Sequence, residues 1–166
     1  MNFTLLVPVL LGLISGLLVN YASDVLPQTR RFSQPTCPHC KTPYSWVDYL
    51  TLRACRSCGK MRSLRTWLVQ IIMLVSFVYF WLFPSKALGI PLGMIVLIYF
   101  GIITVIDLEH RLILHPTSLV GAVLGLIVGT YIHSRIDQNG LLIGVSKSLL
   151  GGLFGFTVMF LLYQLG

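Results

Sequence analysis

Long apolar stretches separated by polar segments dominate the pattern along this chain. Five stretches contain no Asp, Glu, Lys or Arg: Met1–Ser23, Thr66–Ser85, Ala87–Ile106, Leu112–Ser134 and Ser148–Gly166. Each is close to the ~20 residues that a helix needs to cross the hydrocarbon core of a bilayer. The pattern therefore predicts an all-α fold, a polytopic membrane helix bundle of about five transmembrane helices.

Composition supports this prediction, because only 10% of the 166 residues are charged and soluble proteins have about 25%. A signal peptide is the alternative for the first stretch, but its basic beginning is missing, since no Lys or Arg precedes Arg30. A re-entrant or interfacial segment is the alternative for the last stretch, because Gly151, Gly152 and Gly155 weaken a helix there.

Positive charge predicts the orientation. Of twelve Lys and Arg residues, eight lie between Arg30 and Arg65, and positive loops stay in the cytoplasm. We expect a first transmembrane helix at 1–23, a cytoplasmic loop at 24–65, and a four-helix transmembrane region at 66–166 that presents Asp107 on the cytoplasmic side. Basic residues beside a bilayer serve topology and lipid headgroups, so the lipid bilayer is the expected partner and nucleic acid is not.

Glycines at intervals of four predict close helix packing. Gly12 and Gly16 lie in the first stretch, and Gly121, Gly125 and Gly129 lie in the fourth. Such spacing lines one helix face with hydrogens and lets a neighbouring helix approach.

Four cysteines occupy the polar segment 24–65, as Cys37-Pro-His-Cys40 and Cys55-Arg-Ser-Cys58. Two C-x2-C pairs can place four thiolates at the corners of a tetrahedron, which is the geometry of structural zinc sites. Two disulfides are the alternative, but a cytoplasmic loop stays reduced. We expect a structural zinc ion at the four cysteines, with His39 facing solvent.

Asp107 ends the apolar stretch that begins at Ala87, at the expected carboxyl end of a helix. The helix dipole is negative there and disfavours the charged carboxylate, which suits the group to proton transfer. Asp107 is therefore the candidate catalytic residue. The alternative is a solvated aspartate paired with Arg111, four residues further on.

Aspartic proteolysis needs a second carboxylate that shares a proton with the first. Glu109 is two positions from Asp107 and does not share its helix face. Asp137 is expected on the opposite side of the membrane. Asp24 and Asp48 are expected on the same side, but nothing in the sequence aims them at Asp107. The residues alone leave the pair incomplete.

The order of these features resembles the prepilin leader peptidases, aspartic proteases of the bacterial inner membrane that cleave type IV pilin-like precursors on the cytoplasmic side. Gly12-Leu-Ile-Ser-Gly16-Leu-Leu-Val-Asn20, followed by Leu26-Pro27, is similar to their opening G-x-x-x-G-S-F-L-N…L-P pattern. The four cysteines match their zinc-binding insert. Ile106-Asp107-Leu-Glu-His-Arg-Leu-Ile113 is similar to the segment with the first catalytic aspartate, which falls on Asp107, and Gly151-Gly152 resembles the helix before the second.

The chain departs from the family pattern in four places. The second family aspartate lies in a G-x-G-D motif, and the sequence reaches Gly166 without one, so we expect a chain truncated before that residue. Gln70 stands where the family has Glu. The proline of the turn after the first aspartate is displaced to Pro116, and the cysteine insert is short.

The resemblance implies cleavage of leader peptides if the second aspartate is supplied, with the transmembrane helix of a pilin-like precursor as partner. It also raises S-adenosylmethionine as a cofactor, because many members methylate the new N-terminus. One alternative is a non-catalytic relative that serves as a membrane subunit or assembly factor bound to another membrane protein. Another is a membrane-anchored zinc module that binds a cytoplasmic partner.

Overall fold

The computed structural model describes residues 3–110, 115–136 and 141–165, which form six helices and, within those ranges, no strand beyond one isolated bridge between Thr36 and Pro43. The helices are α1 Phe3–Thr29, α2 Trp46–Leu50, α3 Leu64–Leu82, α4 Gly89–His110, α5 His115–Ile136 and α6 Leu141–Leu165. The predicted all-α fold is confirmed.

Four of these helices are long and apolar enough to cross a membrane: α1, α3, α4 and α5. Large apolar side chains stand exposed along them, for example Ile14, Ile72 and Val123, as side chains that face lipid do. The fifth predicted span falls within α6, a continuous helix that starts at Leu141, and its described apolar part is Leu142–Val158. The chain is an integral membrane protein.

Helix α1 runs six residues beyond the predicted end at Ser23 and continues through Pro27 to Thr29. A proline inside a helix lacks the N–H that would bond to the carbonyl four residues earlier, and its ring crowds that carbonyl. Pro27 lies two residues from the end of α1, so this disturbance falls in the last turn of the helix. The helix closes at Arg30, whose φ of 54° is left-handed and whose N–H donates to the carbonyl of Leu26 over 2.9 Å. The polar segment between the first two spans is therefore shorter than expected.

The chain divides into two compact units, of which the first comprises Met1–Phe83 and Leu97–Leu112. In it α1 packs closely on α3 at the predicted glycines. A Cβ at Gly12 would lie 2.9 Å from the Cα of Leu74, and one at Gly16 would lie 2.7 Å from Oε1 of Gln70. The buried amide of Gln70 donates to the carbonyl of Leu13 over 2.8 Å. Gly16 thus makes room for a polar side chain that binds α3 to α1.

The second unit comprises Pro84–Val96 and Ile113–Gly166, and its described part holds α5 packed on α6. A Cβ at Gly129 would lie 2.6 Å from Oγ of Ser148, so this glycine contacts the neighbouring helix as predicted. A Cβ at Gly125 would have no described atom within 4 Å, so close packing does not extend to that glycine. Gly151, Gly152 and Gly155 are similarly open among the described residues.

Candidate metal centre and its ion-pair network

The four cysteines lie on two backbone turns of the same construction. In the first, the N–H of Lys41 donates to the carbonyl of Cys37 over 2.9 Å; in the second, the N–H of Gly59 donates to the carbonyl of Cys55 over 2.8 Å. Lys41 and Gly59 both have left-handed φ angles, 59° and 67°. Each turn therefore reverses the chain four residues after its first cysteine and brings both of its sulfurs to one side.

The sulfur atoms of the four cysteines lie close together. The four Sγ atoms all lie within 4.8 Å of one another. Sγ of Cys37 is 3.7 Å from that of Cys58, and Sγ of Cys40 is 3.6 Å from that of Cys55. A disulfide would need about 2.05 Å. A tetrahedral ion with bonds of ~2.3 Å to sulfur would place the sulfurs about 3.8 Å apart, so the donor set fits a four-coordinate metal ion and does not fit two disulfides.

Local hydrogen bonds favour thiolates at two of these positions. Burial alone would raise the pKa of Cys37, but the backbone N–H groups of Cys40 and His39 lower it to about 6. The backbone N–H of Cys58 lowers the pKa of Cys55. Backbone donors thus prepare Cys37 and Cys55 to bind a cation, whereas at Cys58 the backbone N–H of Lys60 is outweighed by burial and by the hydrogen bonds of the neighbouring sulfurs, which raise the pKa of Cys58 to about 11. His39 is exposed, as predicted.

Residues 35–60, here called the cysteine module, are attached to α1 by aromatic packing. Tyr44, Tyr49, Cys37 and Cys55 form a buried cluster, and Tyr21 of α1 packs against it. The ring centroids of Tyr21 and Tyr49 are 6.2 Å apart in an edge-to-face arrangement, the geometry that aromatic pairs prefer. The metal-binding turns are therefore held against the end of a membrane helix.

Arg62 lies beside the module, between the rings of Tyr44 and Tyr49. Its guanidinium carbon is 4.3 Å and 4.1 Å from the two ring centroids. Only 7% of the side chain is exposed, and Nη1 lies 3.7 Å from Oδ2 of Asp24. A desolvated cation over two aromatic faces is strongly attracted by both, so Arg62 holds the module against α1.

Arg65 joins three helices through ion pairs. Its guanidinium donates to Asp24 of α1 and to Glu109 of α4, while Arg65 itself lies in the first turn of α3. Asp24 also accepts a 2.6 Å hydrogen bond from the hydroxyl of Tyr49. A cavity of about 400 Å³ lies at this network, lined by both arginines and by both carboxylates.

Asp107 lies in the last turn of α4, as predicted, and its side chain is exposed. It makes no hydrogen bond or ion pair with any residue in the described ranges. The predicted alternative partner, Arg111, lies outside those ranges. The neighbouring Ile106 is buried and Glu109 turns to Arg65, so Asp107 projects from a different face of α4 than Glu109 does, in keeping with their spacing.

The other described carboxylates are all held by arginines. Asp48 is buried and pairs with Arg56 over 2.7 Å, and Asp24 and Glu109 share Arg65. Each of these three carboxylates is therefore engaged by an arginine and none of them contacts Asp107. Asp137 lies outside the described residues.

Sequence reasoning missed Arg62 and Arg65, which it counted only as topology signals. Their position in the sequence could have revealed them, because both lie between Cys58 and the apolar stretch that begins at Thr66, where a charge must be either solvated or paired.

Comparisons with protein-family models, with curated proteins and with solved structures give no match.

Proposed function

We propose that this chain is a membrane protein of the prepilin-peptidase kind, which presents Asp107 as one carboxylate of an aspartic protease pair. The observation that carries the proposal is that Asp107 is exposed at the end of a membrane helix and has no ion pair within residues 3–110, 115–136 and 141–165, whereas every other carboxylate in those ranges is bound by an arginine. A carboxylate without a cation is free to exchange a proton with a substrate. The second carboxylate has to come from outside the described residues.

The cysteine module has a structural role in this proposal. We assign it zinc, because four sulfurs at the observed spacing match a tetrahedral ion and leave no open coordination position for chemistry. Zinc would supply a cross-link between the two turns. The module would then form a fixed rim at the end of α1, against which the polar leader of a pilin-like precursor could lie.

The proposed location is the bacterial inner membrane, with the module and Asp107 on the cytoplasmic side. Eight of the twelve Lys and Arg residues lie between Arg30 and Arg65, beside the spans α1 and α3. Retention of such positive segments in the cytoplasm supports this orientation, and a reducing compartment is consistent with four free cysteines.

A non-catalytic membrane subunit is the second candidate. The observation that favours it is Gln70, which stands where the resembled family has Glu and whose amide is buried in a structural contact between α3 and α1. On that proposal the exposed apolar faces of the spans bind another membrane protein, and Asp107 has no chemical role.

Photo-crosslinking can test the peptidase proposal. A photoreactive residue at Leu108, which is 79% exposed beside Asp107, should cross-link a pilin-like precursor at its leader junction. The same residue at Val75 of α3 is the matched control, since it is also exposed but lies ten residues beyond Arg65 along the helix, and it should not reach that junction. Cross-links from Leu108 to a different membrane protein, with none to the precursor, would favour the subunit proposal.

A further inference from the structure

The exposed face of α2 in the cysteine module is apolar. Asp48 and Tyr49 of this helix are buried. Trp46, Val47 and Leu50 are 50%, 63% and 52% exposed, and residues three or four apart share a helix face. A helix that met only water would expose its carboxylate and bury its apolar side chains. The exposed face of α2 is therefore suited to contact with an apolar surface.

Tyr21 of α1 connects Phe32 to this face. The centroid of its ring is 6.3 Å from that of Phe32 and 5.7 Å from that of Trp46. Its hydroxyl donates to the carbonyl of Ser33 over 2.8 Å, which holds the returning chain against α1. Phe32 is 76% exposed. We use the name apolar patch for the four exposed side chains Phe32, Trp46, Val47 and Leu50.

Tyr21 lies at the level where the helices enter the bilayer. Its neighbour Asn20 donates from Nδ2 to the carbonyl of Thr66 over 3.1 Å, and Thr66 is the first residue of the charge-free stretch of α3. Ile14 and Leu18 precede Tyr21 on the same face of α1 and are exposed. Tyrosine and tryptophan rings are enriched at the boundary between hydrocarbon and headgroups. Because the apolar patch packs on Tyr21, it lies at this boundary and continues the lipid-facing side of α1.

The charges beside the apolar patch are positive. Arg30 and Arg31 immediately precede it in the chain and are exposed. Residues 24–65 contain only two carboxylates, of which Asp48 is buried and Asp24 is held in ion pairs. Anionic headgroups attract basic residues that lie next to a bilayer. The surface around the patch is therefore complementary to an anionic membrane surface.

We propose that the apolar patch is embedded in the interfacial layer of the bilayer, with Arg30 and Arg31 at anionic headgroups. Apolar side chains in this layer lie ~5–10 Å deep, where lipid replaces water around them. The cysteine module then rests on the membrane surface as well as on α1. This inference depends neither on proteolysis by Asp107 nor on the identity of the metal.

Fluorescence of Trp46 in reconstituted vesicles tests the proposal. The full chain with Trp67→Phe and Trp81→Phe keeps Trp46 as its one tryptophan, and the vesicles contain phosphatidylglycerol and phosphatidylcholine. Lipids brominated near the headgroup end of the acyl chain should quench Trp46 about threefold more strongly than lipids brominated near the methyl end, because the ring lies at the interface. Acrylamide, which stays in the water, should quench Trp46 weakly.

The matched control carries its tryptophan in the second cysteine turn, as Ser57→Trp in a chain whose three native tryptophans are replaced by Phe. Ser57 is exposed and lies outside the apolar patch, so acrylamide should quench this tryptophan and brominated lipid should not. In the chain that keeps Trp46, combining Arg30→Gln with Arg31→Gln should raise acrylamide quenching about twofold. Lys41→Gln removes an exposed charge from the first cysteine turn and should change nothing.

Three results would overturn the proposal. Acrylamide quenching of Trp46 as strong as in the control would place the patch in water, where a soluble partner could bind it. Protection of Trp46 from both acrylamide and brominated lipid would show that protein covers the patch, a second copy of the chain included. Unchanged quenching after both arginine substitutions would contradict the anionic surface. Bound metal is measured in each variant to establish that the module is folded. If the chain with one tryptophan does not fold, the difference between the wild-type chain and Trp46→Phe gives the same signal.

Discussion

The hydroxyl of Tyr49 donates a 2.6 Å hydrogen bond to Oδ2 of Asp24, which binds the cysteine module directly to α1. Burial, and then the charge of Asp24, raise the pKa of Tyr49, so the hydroxyl stays protonated and remains a donor. Asp24 is also paired with Arg65, and through it with Glu109 of α4. A single carboxylate thus connects the module to the ends of three membrane helices.

Removing this hydroxyl should loosen the module. We expect Tyr49→Phe to lower the free energy of unfolding by ~1.5–3 kcal/mol, because a hydrogen bond to a charged acceptor is lost and Asp24 keeps only its arginine partners. Thermal unfolding in detergent measures the effect. Tyr79→Phe is the control, since Tyr79 is 64% exposed on α3; an equal loss in both variants would contradict the role given to Tyr49.

Arg62 should stabilise the module through its two tyrosine rings. We expect Arg62→Ala to cost about 2 kcal/mol, which corresponds to roughly 30-fold faster hydrogen–deuterium exchange in residues 35–60. Exchange in the middle of α3 should not change. Arg53→Ala serves as the control, because that side chain is exposed. If exchange in the control is as fast as in Arg62→Ala, the loss of a positive charge explains the effect and the contact with the tyrosine rings does not.

Retention of the metal ion should decrease as the pH falls. The pKa of Cys37 in the folded, metal-free chain is lowered from 9.0 to about 6, so the folded module binds fewer protons than the unfolded chain between these values. The stability from this thiolate is therefore full above pH 9 and is lost as the pH falls through about 6. Because protons compete with the metal for sulfur, we expect zinc release below pH 6, followed with a colorimetric chelator. Retention that is constant from pH 7 to pH 5 would contradict this prediction.

Because α1 packs closely on α3, replacing Gly12 by a larger residue should lower the stability of the protein. In Gly12→Ala the added Cβ would meet the backbone of Leu74 at 2.9 Å, and such overpacking costs about 1–3 kcal/mol. Gly151→Ala has open space and replaces a glycine inside a helix, so it should leave stability unchanged or raise it by up to ~1 kcal/mol. Melting temperatures in detergent compare the two, and a larger loss in Gly151→Ala would refute the packing.

The sequence predicted the spans and the cysteine cluster because both depend on local signals. Lipid requires long apolar helices, and a C-x2-C turn needs only neighbouring residues to place its sulfurs. The ion-pair network could not be predicted in the same way. Asp24, Arg65 and Glu109 are far apart in the chain, and their meeting depends on how α1, α3 and α4 pack. The length of α1 was underestimated because the predicted end was placed at Ser23, where the charge-free stretch stops, whereas the helix continues past Asp24 to Thr29.

Leader cleavage in proteoliposomes tests the central claim most directly. The full chain, together with a polypeptide that supplies the second catalytic carboxylate, is incubated with a pilin-like precursor. The variant Asp107→Asn is compared with Glu109→Gln, two positions away. We predict that Asp107→Asn abolishes cleavage while keeping its metal, and that Glu109→Gln still cleaves, since Glu109 has a structural ion pair with Arg65. Cleavage that persists in Asp107→Asn would contradict the account, as would a wild-type chain that binds the precursor and never cuts it.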